Sequence, residues 1–174
     1  MPDAGERQTV GVRLVVLADT HVPDGSGRTL PDQVLAALEG ADAVLHAGDV
    51  TGAELLETLG AHAPVHAVLG NNDVSLVGRL PERLELELEG VRVAMVHDSG
   101  ARQGRGRRLR AWFPGADLVV FGHSHLPEDE VDDSGQRRFN PGSCTQRRRA
   151  PSRTFGVLEV ADGRIVELRL VELP

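Results

Sequence analysis

Five times along the chain a short apolar run stops abruptly at side chains that can bind a metal or a proton. The clearest case is Leu118-Val119-Val120-Phe121, which meets Gly122 and then His123-Ser124-His125. In extended backbone residues i and i+2 share a face, so His123 and His125 are expected to reach one centre together. On a helix they would point apart. Residues 14–18 run likewise into Asp19-Thr20-His21, residues 43–47 into Gly48-Asp49, residues 66–69 into Gly70-Asn71-Asn72-Asp73, and residues 91–96 into His97-Asp98. The economical explanation is a sheet whose strands deliver polar groups from their ends to one site.

A chain of 174 residues is most simply one domain with a real core, expected over residues 12–174 behind a loose polar terminus at 1–11. Nineteen basic against 26 acidic residues leave a net charge of −7, which disfavours nucleic acid as a general partner. All the positive charges are arginines, a compositional bias without mechanistic content. The single cysteine, Cys144, rules out an internal disulfide and a thiolate zinc site; it reads as a small buried hydrophobe rather than a reactive thiol. No secretory leader opens the chain and no apolar run approaches membrane-spanning length, so the cytoplasm is the default location and no membrane is involved.

Between the early strands lie helical patterns. Residues 30–39 carry Pro31 suited to a first turn and Val34, Leu35 and Leu38 at helical spacing. Residues from 51 or 52 to 59 carry Leu55, Leu56 and Leu59 before Gly60. The connection 23–28 has no apolar content and reads as a solvated loop near the substrate side. Leu84, Leu86 and Leu88 then alternate with Glu85, Glu87 and Glu89, and Glu89-Gly90 turns into residues 91–96. That is a β-hairpin with one solvated acidic face. A short helix is expected at 107–112, an exposed acidic turn at 128–133, a short strand at 137–139, and a final hairpin, 154–160 with 164–171, closed by Asp162-Gly163.

The strand-end groups Asp19, His21, Asp49, Asn71, His97, His123 and His125 offer nitrogen and oxygen but no sulfur. Such a set suits manganese, zinc, iron or nickel, and it is too large for one ion. Two ions about 3.5–4 Å apart with one shared carboxylate would use it fully, and such a pair activates water and clamps a displacement at phosphorus.

The blocks Asp19-Thr20-His21, Gly48-Asp49, Gly70-Asn71-Asn72-Asp73, His97 and Gly122-His123-Ser124-His125 occur in the order that resembles the calcineurin-like metallophosphoesterase superfamily. With its short length and Asn140-Pro141-Gly142-Ser143, the chain is most similar to the small YfcE-type phosphodiesterases, whose fold the retromer subunit Vps29 shares. The resemblance, over roughly residues 12–160, implies a four-layer αββα sandwich of two mixed β-sheets flanked by helices. It implies a first metal held by Asp19, His21, Asp49 and His125, and a second by Asn71, His97 and His123, with Asp49 bridging. It further implies hydrolysis of a small phosphate ester, most simply a diester, by a metal-bridging hydroxide, with Asp49, Asn71 and His97 as catalytic residues and Mn2+ the expected ion.

Two positions depart from the pattern. Asn72 stands where phosphoprotein phosphatases carry a histidine, so an acid for the leaving group is lacking there and good leaving groups should be favoured. Asp98 stands where relatives commonly have glycine, and could tune the site, repel an anionic substrate or simply face solvent. Asp73 and Asn140 are expected beside the metals rather than on them, with Asn140 able to orient a histidine, and His46, His62 and His66 read as satisfied core histidines, although His46 is close enough to Asp49 to support it. Eleven arginines between positions 102 and 153 read either as a phosphate-recruiting rim or as partners of the acidic turn. Alternatives to the phosphodiesterase are a Vps29-like scaffold without turnover, a phosphomonoesterase and a nuclease; exposed hairpin edges could pair two chains.

Overall fold

The computed structural model describes residues 11–174, so of the expected loose terminus only Gly11 is among the described residues. One five-stranded sheet contains β1 (Val12–Leu17), β2 (Ala43–His46), β3 (Val65–Ala67), β9 (Arg153–Ala161) and β10 (Arg164–Leu173), in the order β10-β9-β1-β2-β3. The other contains β4 (Arg83–Leu88), β5 (Val91–Val96), β6 (Leu118–Val120), β7 (Glu128–Val131) and β8 (Arg137–Asn140), in the order β4-β5-β6-β8-β7. β1, β2 and β3 run parallel, as do β5, β6 and β8, while the hairpins β9–β10, β4–β5 and β7–β8 are antiparallel. Both sheets are therefore mixed.

Strand alternation sorts the apolar residues into layers. Leu14, Val16 and Ala18 face the second sheet and pack with Val93, Met95, Leu118, Val120 and Phe139. Val15 and Leu17, on the opposite face, pack with Val34 and Leu38 of α1 (Asp32–Leu38) and Leu55 and Leu59 of α2 (Ala53–Gly60). On the far side, Ala94, Val96, Val119 and Phe121 receive Leu109 of α3 (Arg105–Trp112), with Phe113 just beyond it. The result is the expected αββα sandwich. None of the described helices is long and apolar enough to cross a membrane.

One expectation fails. Residues 128–133 are not simply an exposed turn, because Glu128–Val131 forms edge strand β7 on β8. Arginines remove the charge repulsion that five carboxylates in six positions would otherwise impose. Asp129 pairs with Arg137 at 2.7 Å, Glu130 with Arg138, and Glu128 with Arg105. The turn begins only at Asp132, itself paired with Arg110 at 3.1 Å.

Candidate metal centre

Parallel strands bring their carboxyl ends to one edge of the sandwich, which places Asp19 after β1, Asp49 after β2, Asn71 after β3, His97 after β5 and His123 after β6. The chain then kinks at almost every functional residue. Asp19, His21, Asp49, His123 and His125 all adopt left-handed backbone, with φ of 53°, 45°, 56°, 69° and 58°. Non-glycine residues in this region cost about 1–3 kcal/mol each and persist where neighbours over-determine them. Here backbone hydrogen bonds do so: Asp19 N–H donates to Gly48, His21 N–H to Asp49, and Gly122 N–H to His97, at 2.9, 3.0 and 2.9 Å.

These kinks correct the expectation that His123 and His125 share a face of extended backbone. β6 ends at Val120, and the left-handed turns send the two rings to different places. His123 Nδ1 lies 3.0 Å from Asn71 Oδ1, while His125 Nε2 lies 3.2 Å from His21 Nε2. Two imidazole pairs result, His21 stacked on His125 and His97 edge-on to His123, with ring centres 5.1 and 5.3 Å apart.

Asp49 lies between the pairs. Its Oδ2 is 3.5 Å from His21 Nε2 and 3.5 Å from His97 Nε2. Asp19 also faces both, with Oδ1 3.6 Å from His125 Nε2 and 4.0 Å from His97 Nε2. Asn71 Oδ1 closes the second pair at 3.0 Å from His97 Nε2. All seven expected residues are thus assembled in one place.

Electrostatics follow from burial and neighbours. Burial pushes the Asp19 carboxyl up to about 7, against the opposing pull of His97. For Asp49 burial acts in the same sense, but hydrogen bonds from His97 and from the Asn72 backbone and side chain win and hold it well below the usual carboxylate range. Burial lowers His125 to about 4 and also lowers His21. It opposes a charge on His97 as well, yet the contact with Asp49 and the charges of Asp19 and Asp49 raise that imidazole overall.

The surrounding residues hold loops rather than reach inward. Asp73 is buried and its carboxylate accepts the N–H groups of Asp49, Gly70 and Thr51 at 2.9, 2.7 and 2.7 Å. Asn72 donates from both N and Nδ2 to the Asp49 carboxylate, at 2.8 and 2.7 Å. Gly70 must be glycine, since a Cβ there would lie 2.1 Å from the Asp49 nitrogen. Asn140 makes no hydrogen bond to a histidine ring; its Nδ2 donates to Gly122 O and Ser124 Oγ, and so fixes the turn that carries His123. Asp98 accepts the Gly100 N–H at 2.7 Å and stays exposed.

Four further residues support the centre, of which Thr145 and Gln146 were not singled out from the sequence. Ser143 Oγ donates to Asp19 O, Thr145 Oγ1 to Thr20 O, and Gln146 O lies 3.3 Å from His125 Nδ1. His46 is wholly buried with Nε2 2.9 Å from Thr20 Oγ1, and burial lowers it to about 3, so it stays neutral and braces the turn between Asp19 and His21. The readable signal was the polar run 143–146 directly after Asn140-Pro141-Gly142. Cys144 is buried, its thiol pushed up to about 12, and is no nucleophile.

The residues suit divalent ions on physical grounds. Asp19 Oδ2 is buried without a hydrogen-bond partner. Carbonyl oxygens face the Nδ1 atoms of His97 (Ala47, 2.7 Å) and His125 (Gln146, 3.3 Å), which leaves their Nε2 lone pairs aimed inward. Asp19, His21 and His125 form one cluster able to grip an ion, and Asp19, Asp49 and His97 another.

Known proteins resemble the chain over most of its length. The model of the calcineurin-like phosphoesterase superfamily domain matches residues 12–163. A probable metallophosphoesterase of Methanothermobacter thermautotrophicus is 35% identical over 136 residues, covering 76% of this chain and 77% of that protein. Another, from Methanocaldococcus jannaschii, is 34% identical over 152 residues, covering 84% and 75%. Among solved structures, Vps29 of Entamoeba histolytica in complex with zinc matches with a TM-score of 0.74 over 93% of this chain and 98% of that one; at 22% identity this is a likeness of fold alone.

Proposed function

The chain belongs to the calcineurin-like phosphoesterase superfamily, and from that premise we propose that it hydrolyses small phosphodiesters with two divalent ions. The observation that carries this reading is Asp49 Oδ2, equidistant at 3.5 Å from one imidazole of each pair. Asp19, His21, Asp49 and His125 would hold one ion; Asn71, His97 and His123 would hold the other, with Asp49 shared. When bound, such a pair lowers the pKa of a water and neutralises phosphoryl oxygens. Manganese is the ion we propose, from a donor set of oxygen and imidazole that also admits zinc, iron or nickel.

The side chains supply the rest. Asn71 Oδ1 is turned toward His97 and His123, so its Nδ2 is the end free to donate to a phosphoryl oxygen. Asp49, held ionised by Asn72 and His97, keeps its negative charge at neutral pH. His97 is fixed by the Ala47 carbonyl and keeps its geometry through turnover. Asn72 has its amide committed to Asp49 and offers no proton to a leaving group, which favours esters of acidic alcohols. A Vps29-like scaffold role draws support from fold likeness only, and it would give no reason to keep four converging imidazoles.

The test is to strip the protein of metal, reload Mn2+, Zn2+, Ni2+ or Mg2+ separately, and assay bis-p-nitrophenyl phosphate against p-nitrophenyl phosphate. Metal-restored turnover that prefers the diester is expected. Two bound ions without turnover of either ester would contradict the proposal.

A further inference from the structure

The rim of the candidate centre is electrostatically lopsided. Arg102, Arg105, Arg110, Arg137 and Arg138 are committed to the carboxylates of residues 128–132. Arg28 and Arg148 form no ion pair among the described residues, whereas Arg153 donates from Nη2 to the oxygen of Pro174. A groove of about 530 Å³ opens beside them, walled by Arg28, Asp32, Thr145, Gln146 and Arg153. Three of those residues touch the centre directly. Arg28 Nη1 donates to His21 O at 3.4 Å, Thr145 Oγ1 donates to Thr20 O at 2.6 Å, and Gln146 O faces His125 Nδ1 at 3.3 Å. Arg148 extends the same loop, exposed and with φ of 47°, and its charge is felt at Asp19, His21 and His125.

The opposite mouth differs. A groove of about 330 Å³ runs past Asn71 and His97 and is lined by Glu82, Arg83 and Asp98. Its one guanidinium is stacked 4.2 Å over the Trp112 ring, so two carboxylates dominate that side.

We propose that the substrate is an asymmetric phosphodiester bearing a second anionic group, a carboxylate or a phosphate, on one arm, and that Arg28 in the groove beside His21 and His125, together with Arg148 on the adjoining loop, receives that arm. This rests on the phosphodiesterase reading of the same site. Guanidinium groups recognise carboxylate and phosphate oxygens in pairs, and the two of Arg28 and Arg148 outweigh Asp32 on the groove wall. The leaving group then lies toward Glu82 and Asp98, which repel a second negative charge and so enforce one orientation.

The test uses the full-length, metal-loaded protein and uncleavable probes, with binding read by calorimetry. ω-Carboxyalkylphosphonates with arms of two, four and six carbons are compared with alkylphosphonates of equal length. At the best length the carboxylate should bind about tenfold tighter, and in Arg28→Gln/Arg148→Gln the ratio should fall toward one. Equal binding at every length, binding of neither probe, or a ratio that survives in the double variant overturns the subsite. Turnover of bis-p-nitrophenyl phosphate, measured alongside, keeps the two readings apart: turnover with equal binding sinks the subsite alone, and absent turnover with the ratio intact sinks the reaction alone.

Discussion

At the scale of single residues, exposure separates function from stability. Asn71 and His123 are exposed, so their loss leaves the core untouched. Asn71→Ala and His123→Ala should each lower kcat for the diester about a hundredfold or more, while urea unfolding moves by no more than about 0.5 kcal/mol. Near-wild-type kcat at saturating metal would refute their placement on the second ion. Asp73→Ala should behave in the opposite way. It strands three backbone N–H groups and should cost about 2–5 kcal/mol of stability, with metal affinity falling as the Asp49 turn loosens. An unchanged unfolding midpoint would mean those bonds contribute nothing. The residues gathered at the candidate centre were legible because each follows an apolar run, and a polar group at a strand end has few other uses. What escaped were Thr145 and Gln146, whose partners are the Thr20 carbonyl and the His125 ring, 125 and 21 residues away. Their one local signal is the polar run after Asn140-Pro141-Gly142, which reads equally well as an ordinary turn.

At the scale of elements, alternation and punctuation were sufficient wherever a strand has one apolar face. Hairpin β4–β5 lies as read, and its Glu89-Gly90 turn has both φ angles positive, 48° and 82°. β7 was missed because its residues are acidic on both faces; its stability comes from arginines 8 to 23 positions away, a long-range compensation that period alone does not reveal. The histidine turn was misjudged for a related reason, since left-handed backbone at non-glycine residues is imposed by tertiary hydrogen bonds rather than by local preference. Sheet packing also makes a sharp prediction at Gly156 of β9, where an added Cβ would meet the Phe139 ring at 2.6 Å and Val16 at 3.0 Å. Phe139 is fully buried between the sheets and cannot retreat. Gly156→Ala should cost about 1–3 kcal/mol in chemical denaturation, and a neutral effect would show that the inter-sheet space is looser than the packing indicates.

At the scale of the whole molecule, the fold gathers charge that an ion must balance. Asp19, raised to about 7, is harboured more comfortably as a neutral acid. Its folded-state value lies above the unfolded one, so its contribution to the stability of the metal-free protein is present at low pH and is lost as pH rises from about 4 through 7. In metal-free protein the stability of Asp19→Asn relative to wild type should therefore grow between pH 4 and pH 8, by up to about 4 kcal/mol. A difference independent of pH would mean Asp19 titrates normally. In the metal-loaded protein the balance reverses, and the same substitution should weaken ion binding. The central claim, two ions sharing Asp49, is tested most directly by electron paramagnetic resonance of the Mn2+-loaded protein together with its metal content. Two manganese ions per chain with an exchange-coupled spectrum, and loss of that coupling in Asp49→Asn, are the expected results; a single ion, or two uncoupled ones in the wild type, would contradict the account.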